Sequence, residues 1–392
     1  MLIKAPKESL LHILNVVQNA VATKTTMQIL NSFYLGIKGR TIHLAATDLE
    51  IFVEGKFNAD KIYGDQKAKE DKTSSKQNVE LSDGECAIPA KRFIDMIKEQ
   101  SPSQMIEIKV QDDDGKKLDV RCGRSRFTLP CSSAKDFPAP LEFPKNKTVT
   151  VQAVLLRDMI EKTIFAASVE DVRYALNGVY FVVDKNSLKL VATDSRRLAF
   201  ASGEIEGAKF SHNAIVPHKA LAELMRLMDV LEATEVVVGF SDNQISFAMK
   251  DVTLSSRLID SEFPNYERVI PKESPIVAVG SAKELLLATR QLQFLAQGPS
   301  SAVRFSFKKN LLNVMSSVSG VGQGEVDVDI EYDGKPMDVV FNLNYISDFL
   351  KAISGSSSSA DDAKVRIELS SAVSPAVFSP SVDSGAASLR LI

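Results

Sequence analysis

The chain has 392 residues, 44% hydrophobic and 25% charged, with a formal net charge of −3, which suggests roughly two to four domains of ordinary soluble composition. No apolar run approaches the ~20 residues that span a bilayer, and Met1-Leu2-Ile3-Lys4 is too short and polar for a secretory signal, so the expected compartment is the cytoplasm, with no membrane partner. The three cysteines, Cys86, Cys122 and Cys131, form no Cys-x-x-Cys pair and read as free thiols, not as a disulfide framework or zinc site.

In chain order, Leu10, Ile13, Leu14 and Val17 make one apolar helical stripe. Strand text follows and ends at Leu44-Ala45-Ala46-Thr47-Asp48. Asn58–Gly84 is rich in Lys, Asp, Glu, Ser and Gln and reads as a solvated, mobile hairpin loop. Ala87-Ile88-Pro89-Ala90-Lys91 leads into a short helix with Phe93, Met96 and Ile97 inward, the proline placed in its first turn. A second round begins with Leu156, Met159 and Ile160. Strands Val179–Val183 and Ser187–Ala192 follow, then Ala192-Thr193-Asp194, then Ile215-Val216-Pro217-His218-Lys219 before a helix with Leu221, Leu224, Met225 and Met228 inward. A third round has Leu285, Ala288, Leu292 and Leu295, and Leu312–Ser317 where the Thr-Asp strand stood before. Phe341-Asn342-Leu343-Asn344 then precedes Ile346, Phe349, Leu350 and Ile353. The Gly355–Ser359 run reads as a flexible turn.

The rounds are one module repeated. Thr47 and Thr193 lie 146 residues apart, Pro89 and Pro217 128 apart, and the 18-residue difference falls in the 58–84 insertion. Phe137-Pro138 and Phe263-Pro264 are 126 apart, so the register holds beyond it. Each module is two helices on antiparallel sheet, an α+β unit of domain size. The expected domains are 1–146, 147–273 and 274–392.

Several motifs carry a resemblance across nearly the whole chain. They are Gly123-Arg124-Ser125-Arg126-Phe127, Asp136-Phe137-Pro138, Asp171-Val172-Arg173-Tyr174-Ala175-Leu176-Asn177-Gly178, Ala192-Thr193-Asp194, Arg197-Leu198-Ala199, Phe263-Pro264-Asn265-Tyr266 with Arg268-Val269, and Phe341-Asn342. In this order they resemble the bacterial DNA polymerase III beta subunits, the sliding clamps. The resemblance implies the DNA clamp fold: three repeated domains per subunit, helices lining a central hole, and a ring-shaped head-to-tail homodimer. It implies a processivity factor that encircles duplex DNA without reading sequence. It also implies tethering of the polymerase III alpha subunit, clamp-loader subunits and other clamp-binding polymerases and repair proteins, in a nucleoid-associated setting. No cofactor, metal or catalytic residue is implied.

The same resemblance places a partner-peptide groove at Arg173, Leu176, Thr193, Ser195, Arg196, Arg197, Leu198, Pro264, Arg268, Val269, Asn342, Tyr345, Val373, Leu389, Arg390 and Leu391. Two departures bear on it. Ser195-Arg196 stands where many members have Gly-His, and the tail Ala387-Ser388-Leu389-Arg390-Leu391-Ile392 replaces the common Met-Pro-Met-Arg-Leu. For the dimer contact, Arg121, Arg124, Arg126, Phe127 and Leu129 are expected to meet Phe294, Leu295, Glu325 and Asp327 of the partner. The latter two belong to an acidic row, Glu325, Asp327, Asp329 and Glu331, that alternation puts on one strand face. For the DNA-facing surface, Lys91, Arg92, Lys98, Lys162, Lys219 and Arg226 lie in helical text away from the apolar stripes, and Lys24 follows the first helix. With a net charge of −3 a DNA role rests on local charge or on topology, since grip through many phosphates calls for basic charge; the ring that the resemblance implies would hold DNA by enclosure, with no base readout.

An enzyme is disfavoured by the residues themselves. His12, His43, His212 and His218 show no metal-ligand spacing, and no Walker loop is present. Gly320-Val321-Gly322-Gln323-Gly324 leads into an alternating strand and reads as a turn. Asp48 and Asp194 recur at equivalent repeat positions, which suits a structural role at a strand end. The alternative to a clamp is a scaffold that collects partners without DNA.

Overall fold

Among the described residues of the computed structural model, each of the six α-helices starts directly where a strand stops. The structure describes all residues except 60–79, 103, 112–116, 170–172, 272, 297–300, 356–362 and 382–387. The central part of the 58–84 insertion, Asp171 and Val172, and most of the Gly355–Ser359 run therefore lie outside the described residues.

The helices are α1 (Lys7–Val17), α2 (Ala90–Lys98), α3 (Ala153–Glu161), α4 (His218–Val230), α5 (Ala282–Leu292) and α6 (Leu343–Gly355). The strand before each ends at Pro6, Pro89, Gln152, Pro217, Ser281 and Asn342. The prolines thus stand one position before the helix, not in its first turn as the sequence suggested. Pro89 has extended φ and ψ of −56° and 107°, so its locked φ suits the last strand residue and its missing N–H costs the helix nothing. Asn342 does the same work by hydrogen bonding, its Oδ1 accepting from Asn344 N at 2.9 Å. Ser281 Oγ accepts from Glu284 N at 3.3 Å, a serine cap with a glutamate three residues on.

The chain divides into two compact units. The first comprises Met1–Thr148 with Ala222–Arg257, the second Val149–Leu221 with Leu258–Ile392. In the first, a five-stranded antiparallel sheet runs in the order Glu80–Ser82, Leu2–Pro6, Met105–Gln111, Lys117–Cys122, Ser125–Pro130. Glu80–Ser82, inside the stretch expected to be a solvated loop, is a sheet strand paired with Leu2–Lys4. The seven strands of a second, eight-stranded sheet that lie wholly in this unit run in the order Glu235–Phe240, Gln244–Met249, Val252–Arg257, Ile51–Asn58, Thr41–Thr47, Ser32–Lys38 and Gly84–Pro89. Its central pairing, Val252↔Gly55 to Ser256↔Ile51, joins part of the expected central domain to the expected first domain. That long-range ladder is why contacts group the chain in two where the repeat marks three.

The second unit holds one twelve-stranded sheet. Four strands, Ser211–Pro217, Gly178–Asp184, Ser187–Thr193 and Leu198–Glu204, lead to Ser388–Leu391. Val377–Pro380, Lys364–Leu369, Ile276–Ser281, Gly322–Glu331, Leu311–Val318, Ala302–Lys308 and Met337–Asn342 follow. The predicted stripes are inward: Leu10, Ile13, Leu14 and Val17, Leu156, Met159 and Ile160, Leu285, Ala288, Leu292 and Leu295, and Ile346, Phe349, Leu350 and Ile353 are all buried. Each of these side chains except Ala288 contributes about 1.5–3 kcal/mol by leaving water. Met96 and Met225 are only half-buried, and Ile94 and Leu227 are buried beside them.

Candidate functional site: an apolar groove in the second unit

The Thr-Asp signature folds into the same turn twice. Thr193 Oγ1 donates to Arg197 O and accepts from Ser195 N, while Asp194 Oδ1 accepts from Arg196 N and Arg197 N at 2.9 and 3.0 Å. Thr47 and Asp48 repeat this with Ile51 O, Leu49 N, Glu50 N and Ile51 N. Leu49 and Ser195 occupy the left-handed region at φ 77° and 75°. Glycine would relieve that strain, and here the turn's hydrogen bonds hold a non-glycine residue in it. Both aspartates are turn-capping groups, as their repeat positions suggested.

In the second unit this turn borders a cavity of about 690 Å³. Arg173, Leu176, Thr193, Ser195, Arg196, Arg197, Leu198, Pro264, Val269, Asn342, Tyr345, Val373 and Leu391 all line it. Arg268 and Arg390 are exposed without lining it; Leu389 lies on Ser388–Leu391, paired with Ala201. Sequence reading missed much of one wall: Val339, Val340, Phe341 and Phe378, with Ala372, Ser374, Pro375 and Ala376 around the expected Val373. In the sequence only Phe341-Asn342, one of the motifs of the resemblance, pointed there.

The groove is apolar and firmly built. Tyr180 stacks on Phe263 with centroids 4.7 Å apart and planes 2° from parallel, and these rings join a core of Val191, Leu198, Ile215 and Phe263 with Tyr266 and Ile392 packed against it. Burial, then the nearby Glu262 and Glu267 carboxylates, push the Tyr180 and Tyr266 phenols up. Phe341 meets Phe305 and Phe378 edge-on at 5.2 and 5.4 Å. Leu198 and Ile392 exchange backbone hydrogen bonds at 2.9 and 2.8 Å, so the extra terminal isoleucine extends the ladder beside the groove. Meanwhile Val269, Val340 and Val373 are 51%, 63% and 95% exposed. Three exposed aliphatic side chains around one cavity mark a surface built for an apolar guest.

Arg197 is a strut. Its guanidinium donates to Asp194 Oδ2 at 3.1 Å, to Asp348 Oδ2 at 2.9 Å and to Phe165 O, and lies 4.4 Å from the Tyr345 ring centroid. Those charge-assisted and cation–π contacts fix the turn against α6.

The other expected surfaces fare unevenly. Lys24, Lys91, Arg92, Lys98 and Lys219 are exposed. Lys162 is not: it is 2% exposed and donates to Asp158 Oδ2 at 2.8 Å, one helical turn back. Arg226 is also inward. It donates to Asn15 O at 2.8 Å and Val16 O at 2.9 Å, at the end of α1, and to Glu223, so it satisfies helix carbonyls that have no internal partner. Neither presents a cation outward. Arg121, Arg124, Arg126 and Phe127 are exposed and Leu129 half-buried, on or next to the edge strand Ser125–Pro130. Glu325 and Asp327 are exposed and alternate with Val326, Val328 and Ile330. Phe294 is 66% exposed, but Leu295 is 5%. A Cβ placed on Gly324 would lie 3.0 Å from Leu295 Cδ1, so its own chain covers that leucine and leaves Phe294 as the outward member of the pair.

The three cysteines are free and buried. The Cys131 thiol hydrogen-bonds to Cys86, which with burial pushes Cys86 up. No cluster of metal-ligating side chains occurs among the described residues, and no described helix is long and apolar enough to cross a membrane.

Family models of the DNA polymerase III beta subunit match along the chain: the N-terminal domain over residues 1–142, the central domain over 150–265 and the C-terminal domain over 267–391. The beta sliding clamp of Pseudomonas putida is 32% identical over 347 residues, covering 88% of both chains, and that of Pseudomonas aeruginosa 31% identical over 352 residues, covering 88% and 89%. Among solved structures, a Pseudomonas aeruginosa clamp bound to griselimycin superposes with a TM-score of 0.85 at 29% identity, covering 100% of this chain and 98% of that one. A C. crescentus clamp, described with PEG bound to a putative beta-motif tethering region, gives 0.87 at 27% identity, also covering 100% and 98%.

Proposed function

Because the chain belongs to the DNA polymerase III beta-subunit family, the sliding clamps and processivity factors of replication, we propose that it works as a head-to-tail homodimeric ring. The ring encloses duplex DNA and carries polymerase III and other replication and repair proteins on its groove. The groove's place and chemistry support the tethering half of this reading. An apolar trough with exposed valines and backbone strands suits an extended peptide whose leucine and phenylalanine anchors fill pockets, and the C. crescentus clamp is described with PEG bound to a putative beta-motif tethering region.

Two unfinished strand edges support the ring. Ser125–Pro130 is the last strand of its sheet and exposed on both faces. Gly322–Asp329 pairs on one side with Leu311–Val318, and among the described residues its other side meets Ile276–Ser281 only at Ile330 and Glu331. An edge strand joined to such an edge completes both ladders. Arg121, Arg124 and Arg126 oppose Glu325 and Asp327 in charge, and Phe127, Leu129 and Phe294 supply the apolar contact. Two different surfaces meeting head to tail close a ring only at a fixed rotation.

DNA is held by topology. Lys24, Lys91, Arg92, Lys98 and Lys219 give weak, sequence-independent attraction to phosphate, and few contacts keep the ring free to slide. The protein is a non-catalytic accessory subunit of the cytoplasmic replication machinery. The test is retention on DNA after loading by a clamp loader: the protein stays on closed circles and is lost when the circle is cut. Equal retention on both forms, or a strictly monomeric solution mass, would refute the ring and favour a scaffold that works without DNA.

A further inference from the structure

Two of the three cysteines meet each other, and nothing in the clamp reading uses them. Cys86 lies in Gly84–Pro89, a strand of the eight-stranded sheet, and Cys131 directly follows Ser125–Pro130, the last strand of the five-stranded sheet. One isolated bridge, Ala87↔Ser132, joins these segments, with backbone hydrogen bonds of 3.0 and 2.9 Å. Side chains alternate along extended chain, so the residues just before the two bridge partners point to the same side. There the two thiols hydrogen-bond. Cys86 is 0% exposed and Cys131 8%. The hydrogen bond holds the Cys131 thiol below its ordinary value in spite of burial, and with burial it pushes Cys86 up. Cys131 is thus the sulfur with thiolate character and the one nearer solvent, and Cys86 is the proton donor beside it. Cys122 is 1% exposed, and burial pushes it up, the setting of an inert thiol.

We propose that Cys86 and Cys131 form a redox-modification site, at which hydrogen peroxide makes an intrachain disulfide that staples the root of Ser125–Pro130 to the second sheet. Cys131 Sγ, as thiolate, attacks one peroxide oxygen. An S–O bond forms, the O–O bond breaks, and the departing hydroxide takes up the proton that the Cys131 thiol released. Cys86 Sγ then attacks Cys131 Sγ. The S–S bond forms, the S–O bond breaks, and the second hydroxide leaves as water with the Cys86 proton. Two thiols and one peroxide give one disulfide and two waters, and two electrons pass from sulfur to oxygen. Closing the sulfurs from hydrogen-bond contact to a bond of about 2 Å needs a small shift of the backbone. The segment around Cys131 can make it, because the Ala87↔Ser132 bridge that ties it to the second sheet stands outside any named ladder. A bond of this kind, formed by an oxidant and removed by thiols, suits a reducing compartment.

The test treats the folded full-length protein with hydrogen peroxide, then quenches, denatures, alkylates and maps it by peptide mass. The peptides of Cys86 and Cys131 are joined with the loss of two hydrogens and resist alkylation until dithiothreitol is added, while Cys122 is alkylated throughout. In Cys86→Ala, Cys131 stops at the sulfenic acid, which dimedone traps; in Cys122→Ala the bridge forms as in the wild type. The oxidised wild type unfolds roughly 5–15 °C above the reduced protein, since the closed loop constrains the unfolded chain, and Cys86→Ala shows no such shift. Three alkylated thiols after treatment, or a bridge that uses Cys122 or a second chain, overturns the site. A mapped Cys86–Cys131 bridge with no rise in the unfolding midpoint overturns the staple.

Discussion

Replacing Arg226 with alanine should destabilise the first unit by about 2–4 kcal/mol. The side chain, 24% exposed, faces a Glu223 carboxylate only 7% exposed, and it caps two α1 carbonyls. Removing one member of a buried pair costs about 3–5 kcal/mol because the remaining charge is stranded. Here that is discounted, since Arg226 is partly solvated and Asn19 Nδ2 still reaches Glu223 Oε2 at 3.4 Å. The lost carbonyl partners add about 1 kcal/mol, as water replaces them at a helix end. The expected fall in unfolding midpoint is roughly 5–15 °C, read by thermal and urea unfolding with two probes, because two units need not unfold together. Arg226→Ala with Glu223→Ala should recover part of the loss, since the stranded charge is gone. A single mutant within about 0.5 kcal/mol of wild type, with weaker retention on DNA circles, would refute this account and return Arg226 to the DNA-facing surface.

Leu176→Asp should weaken peptide binding by at least about tenfold, since it puts a charge at 4% exposure on the groove wall, without changing the solution mass; unaltered affinity would move the site elsewhere. The Glu54 carboxyl is held below its ordinary value chiefly by the hydrogen bond from His43. Its contribution is therefore full above the unfolded value of about 4.3 and is lost as pH falls through the lower folded one. Thermal scans from roughly pH 6 to pH 3 should show a smaller decline for Glu54→Gln than for wild type, and parallel declines would contradict the pairing.

Much of this fold is written locally. The apolar spacing of α1, α3, α5 and α6 gives their inward faces directly, and the Thr-Asp pairs announce their turn, because a threonine hydroxyl and an aspartate carboxylate bond backbone two to four residues away. What escaped depends on distant partners. Lys162 at a polar helical position reads as solvated, and only packing reveals that Asp158 and the surrounding core enclose it. Arg226 looks the same from its own helix and is captured by carbonyls more than two hundred residues earlier. On the Ala372–Ala376 side of the groove only Val373 was placed by resemblance; its neighbours carry no motif, and their position follows from Val377–Pro380 joining Lys364–Leu369 in the sheet. Resemblance located the other side because the residues there sit next to turns with recognisable chemistry.

The slender strand Ser388–Leu391 has a mechanical meaning. Four strands lie on one side of it and seven on the other, and the described ladder crosses to the farther set at Phe378↔Leu391. The broad sheet therefore has a seam, and Leu198, Phe378 and Leu391, which flank that seam, also line the groove. A guest lying in the trough touches both banks at once and acts as a splint, so occupancy should slow amide exchange along Leu198–Glu204 and Val377–Pro380 together.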